Sequence, residues 1–196
     1  MTDHDHSEPP TGPPTEPPPP PPRRDQPSIV IVNTGDGKGK STAAFGTMLR
    51  AVARGWEVSV IQFMKSGRWR VGEETVARQL GVDWAATGDG FSWLSDDLER
   101  SRALAGAAWE LARDVIAAGR HHLVVLDEIT YPMSWGWIPS AEVAKTIRER
   151  PAHLNVIATG RDAPDELLEV ADTVTEMTKV RHVYDTGVRA RRGLDY

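Results

Sequence analysis

Nine consecutive residues, Thr34-Gly35-Asp36-Gly37-Lys38-Gly39-Lys40-Ser41-Thr42, have the types and spacing that phosphate binding requires. Three glycines in five positions let successive backbone N–H groups turn inward, which makes a concave anion nest at the start of a helix. Lys40 adds a point charge for the phosphates, and Ser41 puts a hydroxyl where a Mg2+ ion bridging phosphate oxygens takes a ligand. Gly39-Lys40-Ser41 fits the end of the pattern G-x-x-x-x-G-K-[ST], whereas Thr34 stands in place of its first glycine. That departure keeps the nest and alters its mouth, so the loop is expected to bind a nucleoside triphosphate without necessarily handling it as a hydrolase does.

A second group of chemistry-bearing residues follows. His121-His122-Leu123-Val124-Val125-Leu126-Asp127-Glu128 reads as a buried strand tipped by two carboxylates, and in a parallel sheet such a strand brings its acids to the edge that holds the phosphate loop. Asp127 or Glu128 is the expected partner of Ser41 on Mg2+, directly or through water; the two histidines, at the opposite end, are expected to be structural. Arg161 follows another apolar run, residues 154–159, and is expected at the same edge as a phosphate or carboxylate contact. Lys65, Arg68 and Arg70, behind the strand at 57–63, admit two readings: contacts to an anionic ligand, or a solvated loop. Phe91 and Trp93, in a loop with Gly88 and Gly90, either pack into the core or project into a cleft as an apolar platform for a large flat ligand.

The elements that must position these groups follow from periodicity and punctuation. Strands are expected at 28–32, 57–63, 82–85, 121–128, 154–159 and 173–177, and helices at 40–54, 72–80, 95–118, 141–150 and 164–170. Ser95 is the expected cap of the long helix, whose buried stripe includes Trp109. The stretch 129–138, with Tyr131, Trp135 and Trp137, reads as an aromatic loop leaving the ligand edge. This alternation predicts an α/β fold, a doubly wound, mostly parallel sheet of five or six strands with helices on both faces, of the RecA-like P-loop kind. Residues 181–196, with Arg189, Arg191 and Arg192, read as a solvated tail or as a lid over an anionic cofactor.

Composition sets the outer limits. Of 196 residues with 15 prolines, residues 1–27 hold eleven of the prolines, five acidic groups and two basic ones; this stretch is expected to be an extended, disordered tail, and 28–196 a single domain. The net charge of −5 gives no sign of a nucleic-acid partner. No apolar run approaches bilayer length. The absence of cysteine excludes disulfides, Cys-ligated zinc and thiol catalysis, and makes a reducing cytoplasm the expected location.

Several linked motifs, in order from residue 29 to residue 196, resemble the ATP:corrinoid adenosyltransferases of cobalamin biosynthesis and salvage. The carriers are the loop from Thr34 extended through Ala43-Ala44-Phe45-Gly46, Val60-Ile-Gln-Phe-Met-Lys65, Gly90-Phe-Ser-Trp93, Val124-Val-Leu-Asp-Glu-Ile-Thr-Tyr131, Ala158-Thr-Gly-Arg161, Ala171-Asp-Thr-Val-Thr-Glu176 and Gly193-Leu-Asp-Tyr196. The resemblance implies transfer of the 5′-deoxyadenosyl group of ATP to a Co(I) corrinoid with release of triphosphate. ATP would lie reversed relative to P-loop hydrolases, with residues 35–42 and Arg161 on the nucleotide and Lys40 on the leaving group. Ser41 and Glu128 would hold a divalent ion, Mg2+ or Mn2+, with Asp127 behind them. Phe91 and Trp93 would exclude the lower axial ligand of cob(II)alamin, so that a physiological reductant, of the flavoprotein type, can reduce it. A homodimer is also implied. The wording of Pro132-Met133-Ser134-Trp135-Gly136-Trp137 departs from the family's, and the proline-rich N-terminus cannot form the helix that covers a partner's active site in some members. An ordinary Mg2+-dependent P-loop phosphotransferase or NTPase is the competing reading.

Overall fold

Apolar alternation along the chain produces six strands: β1 (Val30–Thr34), β2 (Val58–Ser66), β3 (Asp83–Gly88), β4 (Leu123–Asp127), β5 (Asn155–Thr159) and β6 (Thr173–Glu176). The computed structural model describes residues 24–66, 72–88 and 98–194, and joins these strands into one sheet of order β3-β2-β4-β5-β1-β6. Every pairing is parallel. Parallel neighbours need crossovers over a face of the sheet, and here these contain α1 (Lys40–Ala53), α2 (Gly72–Gln79), α3 (Leu98–Ala118), α4 (Thr130–Ser134), α5 (Ser140–Arg148) and α6 (Asp165–Leu168).

The two-residue period of a strand decides which helix each side chain meets. On β4, buried at every position, Leu123 and Val125 join Ala44, Phe45 and Met48 of α1 in one core layer. Val124 and Leu126 join Ala105, Ala108 and Trp109 of α3 in the other. Each such fully buried aliphatic side chain contributes about 1.5–3 kcal/mol, so the central strands are firmly held and their C-terminal ends form a rigid edge. Trp109 is a core residue, as expected; its indole Nε1–H donates to Glu142 Oε1 at 3.0 Å and so ties α3 to α5. The structural assignment of the histidines also fits: His121 pairs with Asp83 at 2.9 Å, and His122 Nδ1 accepts from the Glu57 N–H.

Two expectations about elements need correction. β2 does not stop at Phe63 but runs to Ser66, because after a register irregularity beyond Gln62 it pairs again with β3 at Gly88; Lys65 therefore stands on a strand, not in a loop. The aromatic stretch after β4 is not a loop throughout, since Thr130–Ser134 closes into α4 on buried Thr130, Pro132 and Met133. Pro132 is tolerated there because the first turn of a helix needs no N–H from it. Arg68, Arg70, Phe91, Trp93, the Ser95 cap and residues 1–23 lie outside the described residues. Near the start of the described residues, Gln26 Nε2 donates to Asp172 Oδ1 at 2.7 Å.

Candidate active site

All six strands point the same way, so the ends of β1, β4 and β5 reach one edge of the sheet, and several of the residues singled out for chemistry gather there. Asp36, Gly37, Lys38, Gly39, Lys40, Ser41 and Thr42 line a cavity of about 350 Å³, together with Glu128 and Arg161. The loop is clamped from beside β6: the Gly37 N–H donates to the Met177 carbonyl, and a Cβ on Gly37 would lie 2.6 Å from that oxygen. Gly37, whose φ is not positive, is thus required for close backbone approach and not for its own conformation. Gly35 lies against the same Met177 carbonyl. Thr34, in place of the usual first glycine, has a task of its own, since its hydroxyl oxygen accepts the Ala163 N–H at 3.2 Å and joins the loop to the turn after β5.

Lys40 bends back over the loop, and its ammonium donates to the carbonyls of Gly35 and Gly37, both at 2.6 Å. Burial holds its pKa below the ordinary 10.5, the nearby Arg161 adds to this, and Asp36 and Glu128 oppose it. Arg161 stands 3.6 Å from Asp36. Helix α1 starts at Gly39 without a side-chain cap, so its first-turn N–H groups complete an anion-binding surface beside two cations.

Glu128 leaves β4 with φ of 64°, a left-handed conformation that costs a non-glycine residue about 1–3 kcal/mol and marks functional positions when the surroundings enforce it. The enforcing contact is a hydrogen bond from its N–H to Thr159 Oγ1 at 3.0 Å. Asp127 is fully buried and does not line the cavity. Its Oδ2 accepts from Gln62 Nε2 and its Oδ1 from Thr159 Oγ1, both at 2.8 Å. The two acids at the strand end are therefore unlike: Glu128 faces the cavity and Asp127 stands behind it.

A cation fits this donor set. Ser41 and Glu128 offer hard oxygens on the same cavity wall, and among the described residues no three His, Cys, Asp or Glu side chains form a metal-binding group without help. Mg2+ is commonly held by one or two protein oxygens together with substrate phosphates and retained waters, and Ser41 and Glu128 are the residues that could hold such an ion here.

Tyr131, named in the sequence only as part of the aromatic stretch leaving the ligand edge, faces the cavity from α4, and burial, then the negative charge of Glu128, raises its phenol pKa above 10.0. Other lining residues were given no site role in the sequence. Lys179, His182, Tyr184 and Asp185 form another wall, built on a 3-10 turn, Val183–Thr186. Of the C-terminal stretch, read as a solvated tail or as a lid over an anionic cofactor, His182, Tyr184 and Asp185 line the cavity, whereas Arg189, Arg191 and Arg192 do not. No periodicity marks these residues; only their position after the last strand could have drawn attention to them.

A doubly wound parallel sheet with a phosphate loop after its first strand, and an acid-tipped strand one strand removed from it at the same edge, has the form of the P-loop nucleotide-binding proteins. A family model described as ATP:corrinoid adenosyltransferase BtuR/CobO/CobP matches residues 26–196. The chain belongs to that family. It is 42% identical over 173 residues to the corrinoid adenosyltransferase of Escherichia coli K12, with 88% of each chain covered. Identity is 41% over 173 residues to corrinoid adenosyltransferase CobA of Salmonella typhimurium, again with 88% of each covered. To the corrinoid adenosyltransferase of Pseudomonas aeruginosa PAO1 it is 39% over 175 residues, covering 88% of this chain and 86% of the relative.

Proposed function

We propose that this protein transfers the 5′-deoxyadenosyl group of ATP to a Co(I) corrinoid. The observation that carries the reading is the meeting of the phosphate nest, Lys40, Ser41, Glu128 and Arg161 around one cavity, in a chain of this family. The electron pair on Co(I) attacks C5′, a cobalt–carbon bond forms, the C5′–O bond breaks, and triphosphate leaves with that bond's electrons. The N–H groups of residues 38–42 hold the triphosphate, since that of Gly37 is given to the Met177 carbonyl, and the ammonium of Lys40 turns from the carbonyls of Gly35 and Gly37 to the departing oxygens. Its stabilisation is greatest as negative charge grows there, which is what lowers a barrier. Arg161 adds a second cation on the same side. A divalent cation, Mg2+ or Mn2+, held by Ser41 and Glu128, supplies charge neutralisation and orientation of the leaving group. Tyr131, kept neutral by its raised pKa, supplies a hydroxyl donor at the cavity wall.

Phe91 and Trp93 belong to this reading as the group that displaces the lower axial ligand of cob(II)alamin, so that a flavoprotein-type donor can deliver the electron. They follow directly from β3, whose end reaches the ligand edge. A cytoplasmic homodimer completes the reading; sedimentation equilibrium at about twice the 21.6 kDa chain mass supports it, and a monomer at working concentration contradicts it. No helix among the described residues is long and apolar enough to cross a membrane.

The reading is tested with chemically reduced cobalamin, ATP and Mg2+, following the absorbance of the light-sensitive adenosyl product. Formation of that product at catalytic enzyme concentration is the expected result. Hydrolysis of ATP without a cobalt–carbon bond would return the chain to ordinary P-loop enzymes.

A further inference from the structure

Behind Glu128 a chain of buried hydrogen bonds crosses four strands. Trp84 Nε1–H of β3 donates to Gln62 Oε1 of β2 at 3.2 Å, and Gln62 Nε2 donates to Asp127 Oδ2 of β4 at 2.8 Å. Thr159 Oγ1 of β5 donates to Asp127 Oδ1 at 2.8 Å and accepts the Glu128 N–H at 3.0 Å. Thr159 and Asp127 are 0% exposed and Gln62 1%, so water does not substitute for a missing partner. A hydroxyl has one proton to give. In Thr159 it goes to Asp127, which leaves a lone pair directed at the Glu128 N–H and fixes the polarity of the whole chain.

Glu128 is one of two non-glycine residues with positive φ among those described, the other being Asp162. Its side chain therefore leaves the backbone in a direction that an ordinary strand continuation would not give. That backbone N–H donates to the Thr159 hydroxyl. Gln62 holds more than Asp127, because its backbone carbonyl accepts from Thr87 Oγ1 at 3.1 Å, near the C-terminal end of β3.

We propose that Thr159 is a positioning residue for the reaction: its hydroxyl holds Glu128 in the left-handed conformation that aims the carboxylate at the cation on ATP, with Asp127 and Gln62 fixing the direction of that hydroxyl. Thr159 touches neither substrate nor cation and acts through the Glu128 backbone. The inference rests on the reading of Glu128 as a cation ligand, and two independent variants separate the two ideas.

Binding of ATP is measured by calorimetry with Mn2+ and again in EDTA, and bound Mn2+ is read by its electron paramagnetic resonance, on the full chain. Thr159→Val keeps the shape and removes the hydroxyl; Thr159→Ala is a second removal that leaves room should valine prevent folding; Thr159→Ser keeps the hydroxyl. The expected result is a loss of tenfold or more in Mn2+-dependent ATP affinity for the removal variants, affinity in EDTA within twofold of the parent, and recovery to within threefold with serine. Glu128→Gln should reproduce the Mn2+-specific loss. Removal variants that bind Mn2+ and ATP like the parent while Glu128→Gln does not would overturn the positioning role alone. Equal losses in Mn2+ and in EDTA, unrelieved by serine, would overturn it as well, since they describe general damage to the fold. If Glu128→Gln binds Mn2+ and ATP normally, the cation reading falls and the inference with it.

Discussion

At the scale of single residues, the account turns on Lys40. Its ammonium is held by two loop carbonyls at 2.6 Å, within reach of the phosphates it must neutralise. Lys40→Ala should lower kcat/KM for ATP by about a hundredfold or more, the range seen when one donor to developing negative charge is lost, and near-parent activity in the cobalamin assay would mean the triphosphate site is misplaced. The lysine also predicts a pH dependence. Burial and Arg161 disfavour the ammonium, so in the free protein it deprotonates below the ordinary 10.5. Triphosphate binding needs the charged form, and kcat/KM for ATP should therefore fall with rising pH through this lowered pKa. An alkaline limb at the ordinary lysine position would show that burial does not act as described. Phe91→Ala or Trp93→Ala should impair reduction of Co(II) while sparing adenosylation of chemically prepared Co(I); equal loss in the two assays would sink that division of labour. Lys40, Ser41, Glu128 and Arg161 were legible in the sequence because each sits beside a local signal, a glycine or a strand end. Thr159 and Gln62 were not, because what makes them matter is a partner 32 or 65 residues away on a neighbouring strand.

At the scale of elements, the turns that leave the sheet edge carry the strain. Gly160, with φ of 138°, lies so close to α4 that a Cβ would meet Thr130 Oγ1 at 2.0 Å, and that hydroxyl already donates to the Arg161 carbonyl at 2.5 Å. Gly160→Ala should cost about 1–3 kcal/mol of stability and displace Arg161; urea unfolding reads the first and the KM for ATP the second. An unchanged midpoint would mean that α4 can yield. The segment after β6 makes a different prediction. Lys179, His182, Tyr184 and Asp185 wall the cavity, yet this stretch is largely exposed and contributes nothing to the two core layers. Truncation after Thr178 should raise the KM for ATP severalfold and leave the melting temperature within a few degrees. A large fall in melting temperature would instead make it a structural strap. Strands and long helices were readable because their periodicity extends over many residues. The end of β2 and the five-residue α4 were not, since basic and aromatic residues at a ligand edge look like loop in isolation.

At the scale of the whole molecule, a parallel sheet with apolar layers on both faces makes the ligand edge a rigid platform, and residues 26–30 are tied down at the opposite edge. Gln26 Nε2 and the Val30 N–H both donate to Asp172, and Arg150 donates to the Ser28 hydroxyl at 3.0 Å. Deleting residues 1–23 should leave melting temperature and turnover essentially unchanged; a loss of turnover would assign the proline-rich stretch a part in catalysis. The alternation of strand and helix made the doubly wound class legible, while the strand order, which depends on how far each crossover travels, has no counterpart in local pattern. The central claim is that the nucleotide is opened at C5′ and not at the γ-phosphate. Phosphorus NMR of a reaction containing ATP, Mg2+ and chemically reduced cobalamin tests this most directly. Intact triphosphate appearing in equal amount with the adenosylated corrinoid is the predicted result, and ADP with orthophosphate in its place would contradict it.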